Sequence, residues 1–354
     1  MPLELVAYTP AHVRAVCEFN QRLRKGGASK DDEFPETPHP GWLPEMELYV
    51  VKDDDAVRGG YILRRHTFFV SRETQIAAHY RLPVSEGVID RNYTSLGLRL
   101  VRDALARRSR LYVLGMGSWD RPLPRMLKAM KWRLCEVPFH FKVVRPARFL
   151  RNIRPLRTSA LRRMAFDAAA ATGAGWLGMK ALSISRRLPR ETMDTAPSFT
   201  GWADEVWQRS REAYPLIGVR DAATLERLYP PADPRFLRVR AAGGWALLLD
   251  TQMSDHKQFG DMRVGTIVDC LAPPRDAAAV TRAATSLLES RGVDLIVSNQ
   301  MHAAWSQGLL ASGFRKGPSN FLLGLSPEFA KLVATVPETE FHFNRGDGDG
   351  PIHL

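Results

Sequence analysis

Val264–Leu325 reads VGTIVDCLA (264–272), PPRDAAAVTRAATSLLESRGV (273–293), DLIVSN (294–299), QM (300–301), HAAWSQGLLASGFRKGPSN (302–320) and FLLGL (321–325). The first piece is a short apolar run rich in β-branched residues and stopped by Pro273 and Pro274, the pattern of a buried strand. After Asp276 the residues Ala279, Val280, Ala283, Ala284, Leu287 and Leu288 recur at helical spacing, and Gly292 supplies a stop. Leu295–Val297 reads as a second strand, Ala303–Ser312 as a helix ending at Gly313, and Phe321–Leu325 as a last strand. Strand, helix, strand, helix, strand is a parallel α/β unit with an appended strand, and ligands of such units sit at the carboxyl ends of the strands.

The same order occurs earlier. After a strand at Phe68–Ala78, Arg81–Ile89 reads as a strand, Tyr93–Arg107 as a helix, Leu111–Gly115 as a strand and Pro124–Met130 as a helix. Trp132 then stands where Phe314 stands, and Phe139–Val144 closes the unit. Setting Val113 against Val297 puts the copies 184 residues apart. A period that long means two like domains and not a solenoid.

This layout resembles the GNAT acyltransferase superfamily, in a tandem arrangement like that of Fem-type aminoacyl transferases and double-GNAT enzymes. The local pieces that carry it are LLASGFRKGPSNFLLGL and its weaker counterpart MLKAMKWRLCEVPFHFKVV, similar to the family's final helix, aromatic and strand. The ending FHFNRGDGDGPIHL is similar to tails of GNAT-like proteins encoded with exopolysaccharide biosynthesis genes. The resemblance implies a mixed α/β (α+β) fold, with two GNAT-like domains whose mixed, centrally splayed sheets are flanked by helices. The expected boundaries are 1–145, a basic helical linker at 146–197, 198–336, and a tail at 337–354.

It also implies acyl transfer from acetyl-CoA or another acyl-CoA to an amine or hydroxyl of a small or saccharide acceptor. The family's phosphate loop, an Arg or Gln followed by spaced glycines, is absent from both places where it belongs. Those places hold Arg91-Asn92-Tyr93-Thr94-Ser95-Leu96 and Pro273-Pro274-Arg275-Asp276-Ala277-Ala278. Two alternatives therefore stand beside the acyl-CoA enzyme: a Fem-like transferase using aminoacyl-tRNA, and a non-catalytic tandem scaffold.

Such a transferase needs a base for the acceptor's proton and a backbone edge that holds the carrier. On the resemblance the carrier lies beside Arg81–Ile89 in one half and Val264–Leu271 in the other. Asp269, an acid inside an apolar run where an unpaired charge is costly, is the expected base, with Asn299 orienting a partner and Glu86 as the counterpart in the first half. Val268, Cys270, Leu271, Arg275, Asp276 and Ala277 are the expected carrier contacts. The opposing reading of Asp269 is a buried acid paired with an arginine. The family's thiolate-donating Tyr is missing, and Trp119 and Trp305 occupy its neighbourhood.

The 354-residue chain is long enough for two cores and carries a formal charge of +12. From Arg91 to Arg190 there are 23 Lys or Arg against 4 Asp or Glu. That segregation favours an anionic partner: a cofactor phosphate, a membrane surface through the 148–187 region, or tRNA in the Fem-like alternative. DNA is not expected. The stretch from Met164 to Met179 is too short to span a bilayer, so the expected location is cytoplasmic, with possible peripheral attachment at the inner membrane face. Cys17, Cys135 and Cys270 lie far apart without metal-ligand spacing, and the tail's Arg-Gly-Asp-Gly-Asp-Gly lacks the full calcium loop, so no metal is expected. GxSxG, GxxxxGK[ST], HExxH and CxxC are also absent, which leaves hydrolase, nucleotidase and zinc chemistry without local support.

Overall fold

The computed structural model describes residues 3–29, 33–37, 46–156, 164, 193–241, 243–319 and 321–348. In chain order the first elements are β1 (Glu4–Ala7), α1 (Val13–Lys25), β2 (Met46–Asp53), β3 (Ala56–Val70), β4 (Glu73–Ser85), α2 (Leu96–Arg107), β5 (Leu111–Leu114), α3 (Pro122–Ala129), β6 (Arg133–Glu136), β7 (Phe139–Val143) and α4 (Pro146–Asn152). Then come β8 (Met193–Ala196), α5 (Gly201–Ser210), β9 (Leu216–Gly218), α6 (Ala222–Leu228), β10 (Leu237–Ala241), β11 (Gly244–Gln252), β12 (Arg263–Leu271) and α7 (Ala277–Ser290). The last are β13 (Leu295–Asn299), α8 (Ala303–Ala311), β14 (Arg315–Gly317), β15 (Leu322–Leu325), α9 (Pro327–Lys331) and β16 (Phe341–His342).

The chain forms two compact units, and neither is contiguous. One comprises Met1–Cys135 and Leu322–Thr335; the other comprises Glu136–Phe321 and Val336–Leu354. The first unit's sheet runs β1-β2-β3-β4-β5-β15-β6, and the second's runs β14-β7-β13-β12-β11-β10-β8. The expected domains 1–145 and 198–336 thus need correction at their closing strands. Phe139–Val143 does not close the first sheet but pairs antiparallel with β13, from Phe139↔Asn299 to Val143↔Leu295. Leu322–Leu325 pairs instead with β5, as Leu323↔Leu114 and Leu325↔Tyr112. Both strands are short and apolar with no charge pattern to tell the two sheets apart, so a local reading assigns each to its nearest neighbours.

Each unit buries helices on its sheet as the periodicity dictates. Leu96, Leu100, Val101 and Ala104 of α2 sit over Tyr61, Ala78, Tyr80, Val113 and Trp132. Ala277, Val280, Ala284 and Leu288 of α7 sit over Ala246, Leu248, Ile267, Ile296 and Phe314. Each fully buried Leu or Val side chain among them contributes about 1.5–3 kcal/mol. Trp132 and Phe314 both enter the cores of their units, and each donates its backbone N–H to the residue five positions back, Leu127 O and Leu309 O, at 3.1 Å.

The expected strands Phe68–Ala78 and Arg81–Ile89 are also redrawn. A single long hairpin pairs Val70↔Glu73 through Gly59↔Ser85. Its turn is Ser71-Arg72, both at positive φ (49° and 71°), a conformation usually filled by Asn or Gly and so without a turn signature here. Most of the 148–187 stretch lies outside the described residues. Within them Arg148 faces Asp294 at 4.0 Å, and Arg154 pairs with Asp255. Among the described residues no helix is long and apolar enough to cross a membrane.

The exchange of closing strands can be checked at Gly324. A Cβ there would meet Leu134 Cδ2 at 2.8 Å and Met116 Cε at 3.3 Å. Gly324→Val is expected to cost about 1–3 kcal/mol. In hydrogen exchange its deprotection should appear at Leu111–Leu114 and Arg133–Glu136. Deprotection at Leu295–Asn299 instead would contradict the strand order.

Candidate functional site

In both units two parallel strands run together and then part. In the second unit β12 and β13 pair from Val264↔Leu295 to Ile267↔Ser298, and no pairing follows. At that point β12 carries a bulge: Ile267 faces Leu248 and Asp269 faces Leu247, leaving Val268 as the extra residue. In the first unit β4 and β5 pair only as Ala78↔Leu111 and His79↔Tyr112. Beyond them β4 bulges too, since Ile62 faces Arg81 while Gly60 faces Val84. Leu82 lies in that bulge at φ 44°, a costly conformation for a leucine, and Pro83 beside it has no N–H to give the ladder. A parted strand pair with a bulge on one lip offers unpaired backbone groups to a ligand's amides.

The second cleft is filled by the chain itself. Met301 N donates to Phe343 O at 3.0 Å, and Gln300 and Asn344 form an antiparallel bridge. Asn344 Nδ2 donates to Asp269 Oδ1 at 2.8 Å. The segment Phe343–Asn344 is therefore tied to both lips. Deeper in the cleft, Ser298 Oγ donates to Ile267 O at 3.0 Å and Gln300 Nε2 to Ser298 Oγ at 3.2 Å.

Asp269 is accordingly held by a cage. Arg220 Nε donates to its Oδ1 at 2.9 Å and Tyr229 OH to its Oδ2 at 2.8 Å. The backbone N–H of Cys270 adds another bond at 2.8 Å. Arg220 Nη2 also donates to Asp347 Oδ2 at 2.8 Å, and Nη1 to Gly218 O at 2.9 Å. Arg220 and Asp269 are 2% and 1% exposed. Burial alone would lower the Arg220 pKa, but Asp269 and Asp347 outweigh it and raise it, so the guanidinium stays charged. Burial raises the Asp347 carboxyl against the pull of Arg220.

These facts bear on the expected chemistry. A carboxylate enclosed in this way, its two oxygens accepting four hydrogen bonds, fits the opposing reading of a buried acid paired with an arginine. Val268, Cys270 and Leu271 are buried, with the Cys270 thiol directed at Gln300 Oε1. Asn299 ends β13 and is 3% exposed. Ala277 is buried at the start of α7, while Arg275 is largely exposed and lies 3.7 Å from Asp276. Glu86 is no freer than Asp269: Arg22 Nε and Arg58 Nη1 donate to it at 2.7 and 3.1 Å. His302 caps α8 by accepting from Ala304 N. Among the described residues no cluster could hold a metal ion.

In the first unit, among the described residues, the ladder between β4 and β5 ends at His79↔Tyr112, and the residue at the root of the parted stretch is one the sequence reading passed over. His79, 1% exposed, stacks on Tyr112 with ring centroids 4.6 Å apart and planes 9° apart. Its Nδ1 has no hydrogen-bond partner. Burial, helped by Arg64, Arg81 and His66, holds its pKa well below the ordinary histidine range, so the imidazole is neutral. Tyr112 OH lies 2.8 Å from His66 Nδ1. The signal was the histidine in an apolar strand, IAAHYRL, hidden because that strand was divided in two. Arg91 and Asn92 are exposed in the turn before α2. Gly87 in the same turn is needed for packing, since a Cβ would meet Tyr93 O at 2.4 Å.

No family model matches the chain, and none of the curated proteins matches it. Solved structures do. A conserved protein of Enterococcus faecalis V583 described as a "probable N-acyltransferase" aligns over 92% of this chain and 72% of its own, with TM-score 0.52 and 8% identity. The GCN5-related N-acetyltransferase from Kribbella flavida aligns over 91% and 71%, with TM-score 0.51 and 12% identity. Saccharomyces cerevisiae N-myristoyltransferase with bound myristoyl-CoA aligns over 92% and 84%, with TM-score 0.50 and 10% identity. At such identities the likeness establishes the fold: two mixed sheets flanked by helices, as in GNAT-type transferases.

Two outcomes follow from the buried groups. Asp269→Asn leaves the buried Arg220 short of countercharge and should cost about 3–5 kcal/mol in urea unfolding; a neutral effect would remove the cage from the account. Burial also holds His79 and His342 well below their ordinary range, and His302 down to about 4. The unfolded chain takes up these protons first as pH falls. Stability is thus fully present above about pH 6.5 and lost below it, by about 1.4 kcal/mol per pH unit for each such histidine, with the raised Asp347 opposing. Urea midpoints should fall between pH 7.5 and 5.5, and less steeply in His302→Asn, which retains a capping side chain. A midpoint independent of pH would contradict the assignment.

Proposed function

We propose that this protein is an acyltransferase that holds an acyl-CoA in the first unit, between the parted ends of β4 and β5. The observation that carries the reading is the contrast between the units: both have a bulged, splayed strand pair, and the second's is occupied by the chain's own C-terminal segment. The unpaired backbone of Tyr80–Ser85 and Val113–Leu114 would take the carrier's amide arm. Arg91, exposed in the turn before α2, would supply charge that glycine amides supply in related loops. When bound, the carrier presents a thioester carbonyl to the acceptor.

The acceptor is an amine or a hydroxyl. Its nitrogen or oxygen forms the new bond to the acyl carbon, the carbon–sulfur bond breaks, and the sulfur leaves as a thiolate. The acceptor's proton passes to His79 Nδ1, which has no other hydrogen-bond partner. The burial that disfavours the imidazolium then drives the proton on to the leaving thiolate. Tyr112, stacked on His79 and bonded to His66, positions the ring. The similarity of FHFNRGDGDGPIHL to tails of GNAT-like proteins from exopolysaccharide clusters supports a saccharide acceptor.

Coenzyme A titration followed by hydrogen exchange tests this. Protection is expected at 80–95 and 113–117. No binding would favour a non-catalytic scaffold, and co-purified tRNA would favour the aminoacyl-tRNA alternative. With an acceptor found by thiol release over a panel of amines and sugars, His79→Gln should lower kcat by about 10²–10⁴-fold while leaving coenzyme A affinity intact. An unchanged kcat would remove His79 from the mechanism.

A further inference from the structure

The second unit kept the architecture of a carrier cleft and lost the opening. Its strands part after Ile267 and Ser298, and its bulge at Val268 stands where Leu82 and Pro83 stand in the first unit. What lies in the gap is an extended, amide-bearing chain. Phe341 and His342 pair in parallel with Leu216 and Ile217. The backbone then passes along Gln300 and Met301, and Asn344 reaches Asp269 on the opposite lip.

We propose that Phe341–Asp347 is an internal occupant of this cleft, lying where a carrier's amide arm would lie, and that its displacement opens a second site for an acyl-pantetheine thioester carrier. The inference rests on the reading that a parted strand pair of this fold holds the carrier. Backbone pairing on one lip and a side-chain amide on the other are the interactions a pantetheine arm, itself a chain of two amides, can make. The hold comes from a few polar contacts at one end. Arg220 reaches both Asp269 and Asp347, and Asn344 N donates to Asp347 Oδ2 at 2.9 Å. At the other end the fit is looser, because among the described residues neither ring nitrogen of the buried His342 reaches good hydrogen-bond geometry, with only its own backbone and that of Cys270 to interact with. Tyr214 and Trp305 meet that ring edge-on, and His302 packs on the Tyr214 ring in turn.

Gly346 is the point at which to displace the segment without touching the charges. A Cβ there would meet Tyr229 Oη at 2.3 Å and Asp269 Oδ2 at 2.8 Å, so Gly346→Val must move away from the lip. The full-length variant, and Asn344→Ala beside it, are compared with wild type by two measurements. Hydrogen exchange reports release of 341–347, and equilibrium dialysis counts coenzyme A bound per chain. The expected result is one coenzyme A in wild type and two in a variant whose segment is released. A released segment with no added coenzyme A overturns the proposal. Wild type binding none sinks the first-unit reading alone if the released variant then binds one. Should neither variant fold, excess coenzyme A on wild type decides: faster exchange confined to 341–347 supports displacement, and unchanged exchange overturns it.

Discussion

A guanidinium with no access to water must be surrounded by acceptors, and Arg220 finds them in three places far apart in the sequence. Gly218 O comes from its own neighbourhood, Asp269 from β12 and Asp347 from the C-terminal turn. Removing a buried charge from its partners costs several kcal/mol, so the C-terminal segment is drawn down onto β12. Once there, Asn344 bonds to Asp269 and the backbone at Phe343 pairs with Met301. The filling of the second cleft is thus a consequence of charge burial, and the proposal that a carrier binds in the first unit rests on it.

The second constraint is topological. Each sheet is completed by a strand from the other half of the sequence: β15 beside β5, and β7 beside β13. Without its borrowed strand, β5 would present an open edge next to the core around Trp132, and such edges invite mispairing. The contacts that seat these strands join residues about two hundred positions apart, for example Leu111 N to Ser326 Oγ. Contacts of that separation carry a high loop-closure cost and are expected to form late.

Much of the architecture was legible because it is local. Ala279, Val280, Ala283, Ala284, Leu287 and Leu288 announce α7 by spacing alone, and VGTIVDCL announces β12 by composition. The exchange of closing strands was not legible, since FLLGL and FHFKV fit either sheet and only tertiary packing decides. Nor was the Ser71-Arg72 turn, which uses positive φ without Gly or Asn; losing it divided the long β4 and hid His79. Asp269 was singled out for a sound reason, a carboxylate in an apolar run. The same sign marks a catalytic acid and a caged one, and the partners that separate them, Arg220, Tyr229 and Asn344, are 40 to 75 residues away.

The two units therefore share a frame and differ in what occupies it. In the first, β4 carries a strained bulge and a neutral stacked imidazole, and an exposed cationic turn follows it before α2. In the second, the parted strand ends are bridged by protein. A photo-reactive acyl-CoA analogue, cross-linked to the native full-length chain and mapped by peptide mass spectrometry, tests this most directly. Adducts confined to 80–95 and 113–121 are the predicted result. Adducts at 264–277 or 295–302 of the native protein at one equivalent of analogue would contradict it.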